Sequence, residues 1–252
     1  MPVPLRDLTG WIDAYLDIAS FEDASLNGLQ VEGNPQVSKV ALGVDASLAA
    51  ITAAVEGGAD LLLVHHGLFW GQVQPATGPL ARRLAAALGA GLSLYAAHLP
   101  LDAHPEVGNN ACLADLLGLV DRLPFGAPRG KPIGVAGRLP ARLPIDRLAD
   151  ALQRITGEVC LVHRGGPEEV ERLALLSGGG ARFVAEAALA GMDTLVTGEP
   201  EHAHFHDPFE WGINAVYAGH YDTEVFGVRA LWARLSERFG LPCSFIPGPT
   251  GL

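Results

Sequence analysis

No run of this 252-residue chain is apolar over the ~20 residues that a bilayer crossing requires, and its first residues, MPVPLRDLTGWIDAYLD, lack the basic start and apolar centre of a secretion signal. A cytoplasmic protein, neither exported nor membrane-inserted, is expected. Cysteine is scarce: Cys112, Cys160 and Cys243 are odd in number and far apart, which excludes a disulfide framework and a CxxC zinc site and fits a reducing compartment. Positive charge is scarce too. Lys and Arg total 17 against 28 Asp and Glu, giving a formal charge of -11 with no basic run, so a nonspecific grip on nucleic acid is not expected. No G-x-G-x-x-G follows a strand and no P-loop lysine is present, which removes the common dinucleotide and P-loop functions. There is no solenoid repeat and no low-complexity tract.

What the chain has is apolar content, 49%, enough for a sizeable core. Short apolar runs alternate with helical periodicities, the mark of βα units around a largely parallel sheet. The spacing predicts a helix over Leu5 to Ile18, strands over Val40 to Asp45 and Leu61 to His66, a helix over Pro79 to Leu88, and a strand ending at His98. A helix follows from about Asn109, and SLNGLQVEGN reads as a turn-rich loop. Further strands are expected at Ile133 to Gly137, Val159 to His163, Leu173 to Leu176, Thr194 to Glu199 and Asn214 to His220. Helices are expected at Ile145 to Ile155, Ala181 to Ala190 and Asp222 to Arg238. The segment GAPRGKP, residues 126–132, reads as a connector between two lobes.

Ligand sites in open α/β sheets gather at the carboxyl ends of strands, which here read VHHG, AAHLPLD, VTGE and AGHYDTE. Adjacent histidines at a strand end point to opposite sides, so His65 and His66 could reach different ions. Taken alone, the pair is more simply a strand end capped by hydrogen-bonded imidazoles. His220 and Glu224 are four apart where strand becomes helix and would share a face, although an ordinary first helical turn explains them equally well. Asp102 follows His98 by four on a proline-bent loop. Imidazole and carboxylate donors without thiolate suit Zn, Mn, Fe(II) or Ni. His202, His204 and His206 alternate as if on a strand, but Phe205 and the following Asp207-Pro208 suggest an irregular segment; pocket-lining hydrogen bonds suit them, His206 in particular, better than a second metal site. His104 and His163 read as structural or surface residues, and the tryptophans as packing.

SLNGLQVEG, VHHGLFWG, HLPLDAHPEVGNN, TGE and AGHYDTE, in this order, resemble the GTP cyclohydrolase I type 2 homologues, also called Nif-three-like proteins, in their short bacterial form. The resemblance implies two interlinked α/β lobes with mixed, largely parallel sheets, residues 1–125 with 226–252 and residues 126–225, and a dinuclear metal site in the cleft between them. It also implies a homohexamer. By carry-over, His65 and Asp102 would hold one divalent ion, His66 and His220 the other, and Glu224 both; His98 and His206 match histidines beside the site. A small-molecule, nucleotide-like substrate attacked by metal-activated water follows if the family name is literal, with His98 as general acid or base. The alternative is a metal storage, delivery or regulatory protein without turnover, and a third reading is a metal-stabilised oligomeric scaffold.

Overall fold

A computed structural model describes all 252 residues, and the chain divides into two compact units, Met1–Leu101 with Gly227–Gly248, and Asp102–Phe226 with Pro249–Leu252. The division does not fall at the expected connector, residues 126–132. Val120–Phe125, on its N-terminal side, pairs antiparallel with Gly134–Pro144 beyond it, so the connector is a hairpin loop inside one sheet.

The chain runs through β1 (Val3–Pro4), α1 (Leu5–Tyr15), β2 (Gly28–Val31), β3 (Gln36–Val37), β4 (Val40–Asp45), α2 (Leu48–Glu56), β5 (Leu61–His66), α3 (Gly78–Gly89), β6 (Ser93–Ala96) and α4 (Leu99–Ala103). Next come α5 (Asn109–Leu116), β7 (Val120–Phe125), β8 (Gly134–Pro144), α6 (Ile145–Thr156), β9 (Leu161–Arg164) and β10 (Glu169–Leu176). The last elements are α7 (Val184–Leu189), β11 (Thr194–Thr197), α8 (Asp207–Trp211), β12 (Asn214–Tyr217), α9 (His220–Phe239) and β13 (Cys243–Phe245). No helix is long and apolar enough to cross a membrane.

In the first unit the sheet order is β13-β4-β5-β6-β2, with β13, β4, β5 and β6 parallel and β2 antiparallel at the edge. β5 is central, which explains why its sequence is apolar without alternation: both faces are covered, and Leu61 to Val64 are fully buried. Ser47 caps α2 by accepting from the Ala50 amide at 3.0 Å. Leu5, Leu8 and Ile12 recur at helical spacing on the buried face of α1, which ends at Tyr15 rather than Ile18 because the chain turns through a left-handed Asp17 at φ 50. The expected loop at SLNGLQVEGN contains β2, since Leu29 and Val31 pair with Tyr95 and Leu94 across a bulge.

The second unit carries a six-stranded mixed sheet, β7-β8-β10-β11-β12-β9. β10, β11 and β12 are parallel, whereas β7, β8 and β9 run antiparallel to their neighbours. Leu148 and Leu152 of α6 and Leu113 and Ala114 of α5 pack with Leu173, Val196 and Val216 of the sheet into one buried cluster. β8 is longer than the expected Ile133 to Gly137: it continues through mostly exposed residues to Pro144, just before α6 begins. α9 starts at His220, two residues earlier than the spacing predicted.

Candidate metal centre

Three parallel strands of the first unit end together at their carboxyl side, and each end contributes a polar residue. The register sets Asp45 of β4 beside His66 of β5, and β6 leads through Ala97 to His98. The rings of His65, His66 and His98 lie 4.7 Å (His65 to His66), 5.1 Å (His65 to His98) and 5.6 Å (His66 to His98) apart between centroids. One ring nitrogen from each lies within 4.8 Å of the others, so the trio could hold a cation.

The tautomers favour this. His65 Nδ1 is 2.9 Å from the Ala97 carbonyl, which can only accept, so Nδ1 carries the proton and Nε2 keeps its lone pair. His66 Nδ1 donates to Asp45 Oδ1 at 2.9 Å, and His98 Nδ1 donates to Asp23 at 2.9 Å, with the same consequence. A histidine anchored through one nitrogen by a carboxylate or carbonyl is the usual preparation of a metal ligand. The Asp23 side chain is itself buried. It accepts from the Ser25 amide at 3.0 Å, Asn27 Nδ2 at 2.9 Å and the Leu99 amide at 3.0 Å. Burial resists its ionisation, but the His98 contact and these hydrogen bonds outweigh it and hold the carboxyl well below the usual carboxylate range.

The second unit builds its cluster the same way, at the ends of β10, β11 and β12. His220 opens α9, and its Nε2 is 3.3 Å from Glu224 Oε2, one helical turn on, while Nδ1 is 3.1 Å from Glu199 Oε1. Glu224 is only 3% exposed, an uncommon position for a carboxylate. Burial lowers the basicity of His220, but the two carboxylates overcome it and push its pKa up to about 9. In the metal-free chain the His220 imidazolium thus lies between the two carboxylates. Gly178, at φ +64, lies against this group: a Cβ there would run into Glu224 Oε1 and come within 3.1 Å of His220 Nε2. Asp102, 4% exposed, has Oδ1 fixed by Asn109 Nδ2 at 2.8 Å and Ser177 Oγ at 2.9 Å. It sits in the short helix α4 rather than on the expected loop.

A profile of the Duf34/NIF3 family (NGG1p interacting factor 3) matches residues 3–249. The chain belongs to this family. A Deinococcus radiodurans protein named GTP cyclohydrolase 1 type 2 homolog is 55% identical over 246 residues, covering 98% of this chain and 94% of its own. A Pyrococcus horikoshii protein of the same name is 43% identical over 247 residues, covering 98% of both. Among solved structures, TTHA1606 from Thermus thermophilus superposes with a TM-score of 0.89 at 49% identity, covering 99% of this chain and 100% of its own.

Within this Duf34/NIF3 chain, Asp23, Asp45, Glu199, Asn109 and Ser177 orient the candidate ligands, and the sequence singled out none of them. Asp45 ends β4 and Glu199 follows the end of β11 by two residues, which is a usable signal; Asp23 lies in an aperiodic loop. His202, His204 and His206 are not on a strand: they occupy a single 3-10 turn and the residues leading into α8. His204 pairs with Asp207 at 2.8 Å, and His206 is exposed and edge-on to Phe205. His104 Nδ1 accepts from the Glu106 and Val107 amides, each at 3.2 Å, which makes it a turn-forming residue. His163 is buried beside Phe205 and Tyr217, and burial pushes its pKa down.

Proposed function

We propose that this protein is a dinuclear metal-dependent hydrolase acting on a nucleotide-like substrate, with His65, His66, Asp102, His220 and Glu224 as the ligands of two divalent ions. One observation carries the reading: His65 and His66 each spend Nδ1 on an oxygen acceptor and so keep an Nε2 lone pair for an ion, and His98 beside them is held in the same tautomer for proton transfer. The Glu224 and His220 pair, with glycine where any side chain would intrude, supplies donors of the matching kind. The mixed nitrogen and oxygen set suits Zn, Mn, Fe or Ni. Bound divalent ions would supply a water of lowered pKa and stabilise developing negative charge.

The chain's own residues do the rest. Asp23 fixes His98 with Nε2 available to take a proton, and its negative charge would stabilise the imidazolium that results, the arrangement of a general base. Asp45 fixes His66 in the same tautomer. The relatives' name makes GTP the substrate to test first; on the present proposal the water attacks the imidazole ring of the base and formate is released. Formation of a homohexamer and residence in the cytoplasm belong to the same proposal.

The test is formate release from GTP by protein supplied with Mn, Zn or Fe(II), compared with His98→Asn. Metal-dependent release that falls by about 100-fold or more in the variant, with its ion content unchanged, is expected from loss of a general base. Full ion content without any release would overturn the hydrolase reading in favour of metal storage or delivery.

A further inference from the structure

Beside the histidine cluster the first unit has a cleft of about 410 Å³ that the ligand assignment does not use. Its walls are the loop after β5, Phe69 to Gln74, and the loop Asp23 to Leu26. The loops are stitched together by backbone hydrogen bonds, Leu26 N to Phe69 O at 3.0 Å and Gly71 N to Ala24 O at 2.6 Å, so the cleft is a formed feature. Trp70 joins it to the histidines: its ring is edge-on to His98 at 5.0 Å and tilted against His66 at 5.7 Å. The indole Nε1 donates to the Gly67 carbonyl at 2.9 Å, which fixes the ring plane.

The chemistry of the walls selects a ligand. No Lys or Arg lines the cleft, and its one charged residue, Asp23, already accepts four donors. Phosphate is therefore poorly served there, while a flat uncharged ring is well served by Trp70 and Phe69, with the exposed amides of Gln72 and Gln74 as neutral donors and acceptors. Ser25 gives an independent sign: it is 5% exposed, lines the same cleft, and its Oγ has no hydrogen-bond partner within the protein.

We propose that this cleft is the base-recognition subsite, taking the uncharged heterocycle of a purine nucleoside or nucleotide stacked on Trp70, with the phosphates outside it. The proposal rests on the nucleotide hydrolase reading for its substrate class, and it adds the residue that selects the base and the orientation of the ligand. The ring then lies beside His98, the group placed to exchange a proton with it.

Guanosine, GMP and inorganic triphosphate are titrated calorimetrically into metal-loaded wild type, Trp70→Phe and Trp70→Ala, with ion content and thermal midpoint measured on each. Guanosine is expected to bind without phosphate, to hold within about threefold in Trp70→Phe, and to weaken by about 5- to 150-fold in Trp70→Ala at unchanged ion content, the range for loss of one stacked base. Binding should also quench a component of tryptophan fluorescence that is missing in Trp70→Phe, a readout that survives if Trp70→Ala does not fold. Equal guanosine affinity in wild type and a folded Trp70→Ala, or displacement of guanosine by triphosphate alone, overturns the subsite. Guanosine binding that depends on Trp70 without formate release leaves the subsite standing and sinks the hydrolase, whereas formate release with an unchanged KM in Trp70→Ala does the reverse.

Discussion

Replacing Asp23 by Asn keeps the shape of the side chain and removes its charge, so the cost is set by hydrogen bonding. Oδ1 accepts from the Ser25 amide and His98 Nδ1, and Oδ2 from Asn27 Nδ2 and the Leu99 amide. Whichever way the asparagine is placed, its NH2 faces two donors, both in buried or half-buried surroundings. At ~1–3 kcal/mol for each donor left unsatisfied, the loss is ~2–6 kcal/mol of a total that for a globular protein is of order 5–15. Asp45→Asn is the control: Asp45 is half-exposed and makes a single contact to His66, so ~0.2–1 kcal/mol is expected. The two variants are compared by urea unfolding at pH 7. A loss in Asp23→Asn below ~1 kcal/mol, or one equal to that of Asp45→Asn, would refute the reasoning that this buried carboxylate organises the histidine cluster. The pH dependence gives a second check. The folded-state pKa of Asp23 is depressed, so its stabilisation is present above the unfolded value of ~3.9 and is lost as pH falls below it; the acid limb of stability should flatten in Asp23→Asn.

Gly178→Ala should cost more than Gly58→Ala although both glycines have positive φ, +64 and +69, because a Cβ at Gly58 meets open space and one at Gly178 meets Glu224. The shared backbone term is ~1–2 kcal/mol, so thermal unfolding should show that loss for Gly58→Ala and a larger one, with lowered ion content, for Gly178→Ala. His220 has its pKa raised to about 9 in the metal-free chain, above the unfolded value of ~6.5. Its stabilisation is therefore full below pH ~6.5 and fades as pH rises through about 9. Urea midpoints of chelator-treated protein should fall across that interval, and His220→Gln should abolish the fall.

The sequence carries the parallel strands well, since β4, β5, β11 and β12 are short and apolar and either end in site residues, as β4 and β5 do, or are followed within three residues by them. Its failures have physical causes. β2 is a four-residue edge strand in a Gly- and Asn-containing segment, whose pairing with β6 is decided by tertiary contact rather than by local pattern. The connector at residues 126–132 has the composition of a linker, but β7 and β8 on its two sides pair, and no local signal reports a non-local ladder. The ligand candidates stand out only in company, because polar residues gather after several strands in an order that resembles one family; the residues that aim them, Asp23 above all, are ordinary polar residues whose role exists only once the chain has folded.

The central claim is that the imidazoles and carboxylates at these strand ends bind metal. Ion content of the protein purified without chelator, measured by mass spectrometry beside Glu224→Ala, tests it most directly. About two ions per chain in the wild type and substantially fewer in the variant is the predicted result. Equal metal content in the two proteins, or none in either, would contradict the account.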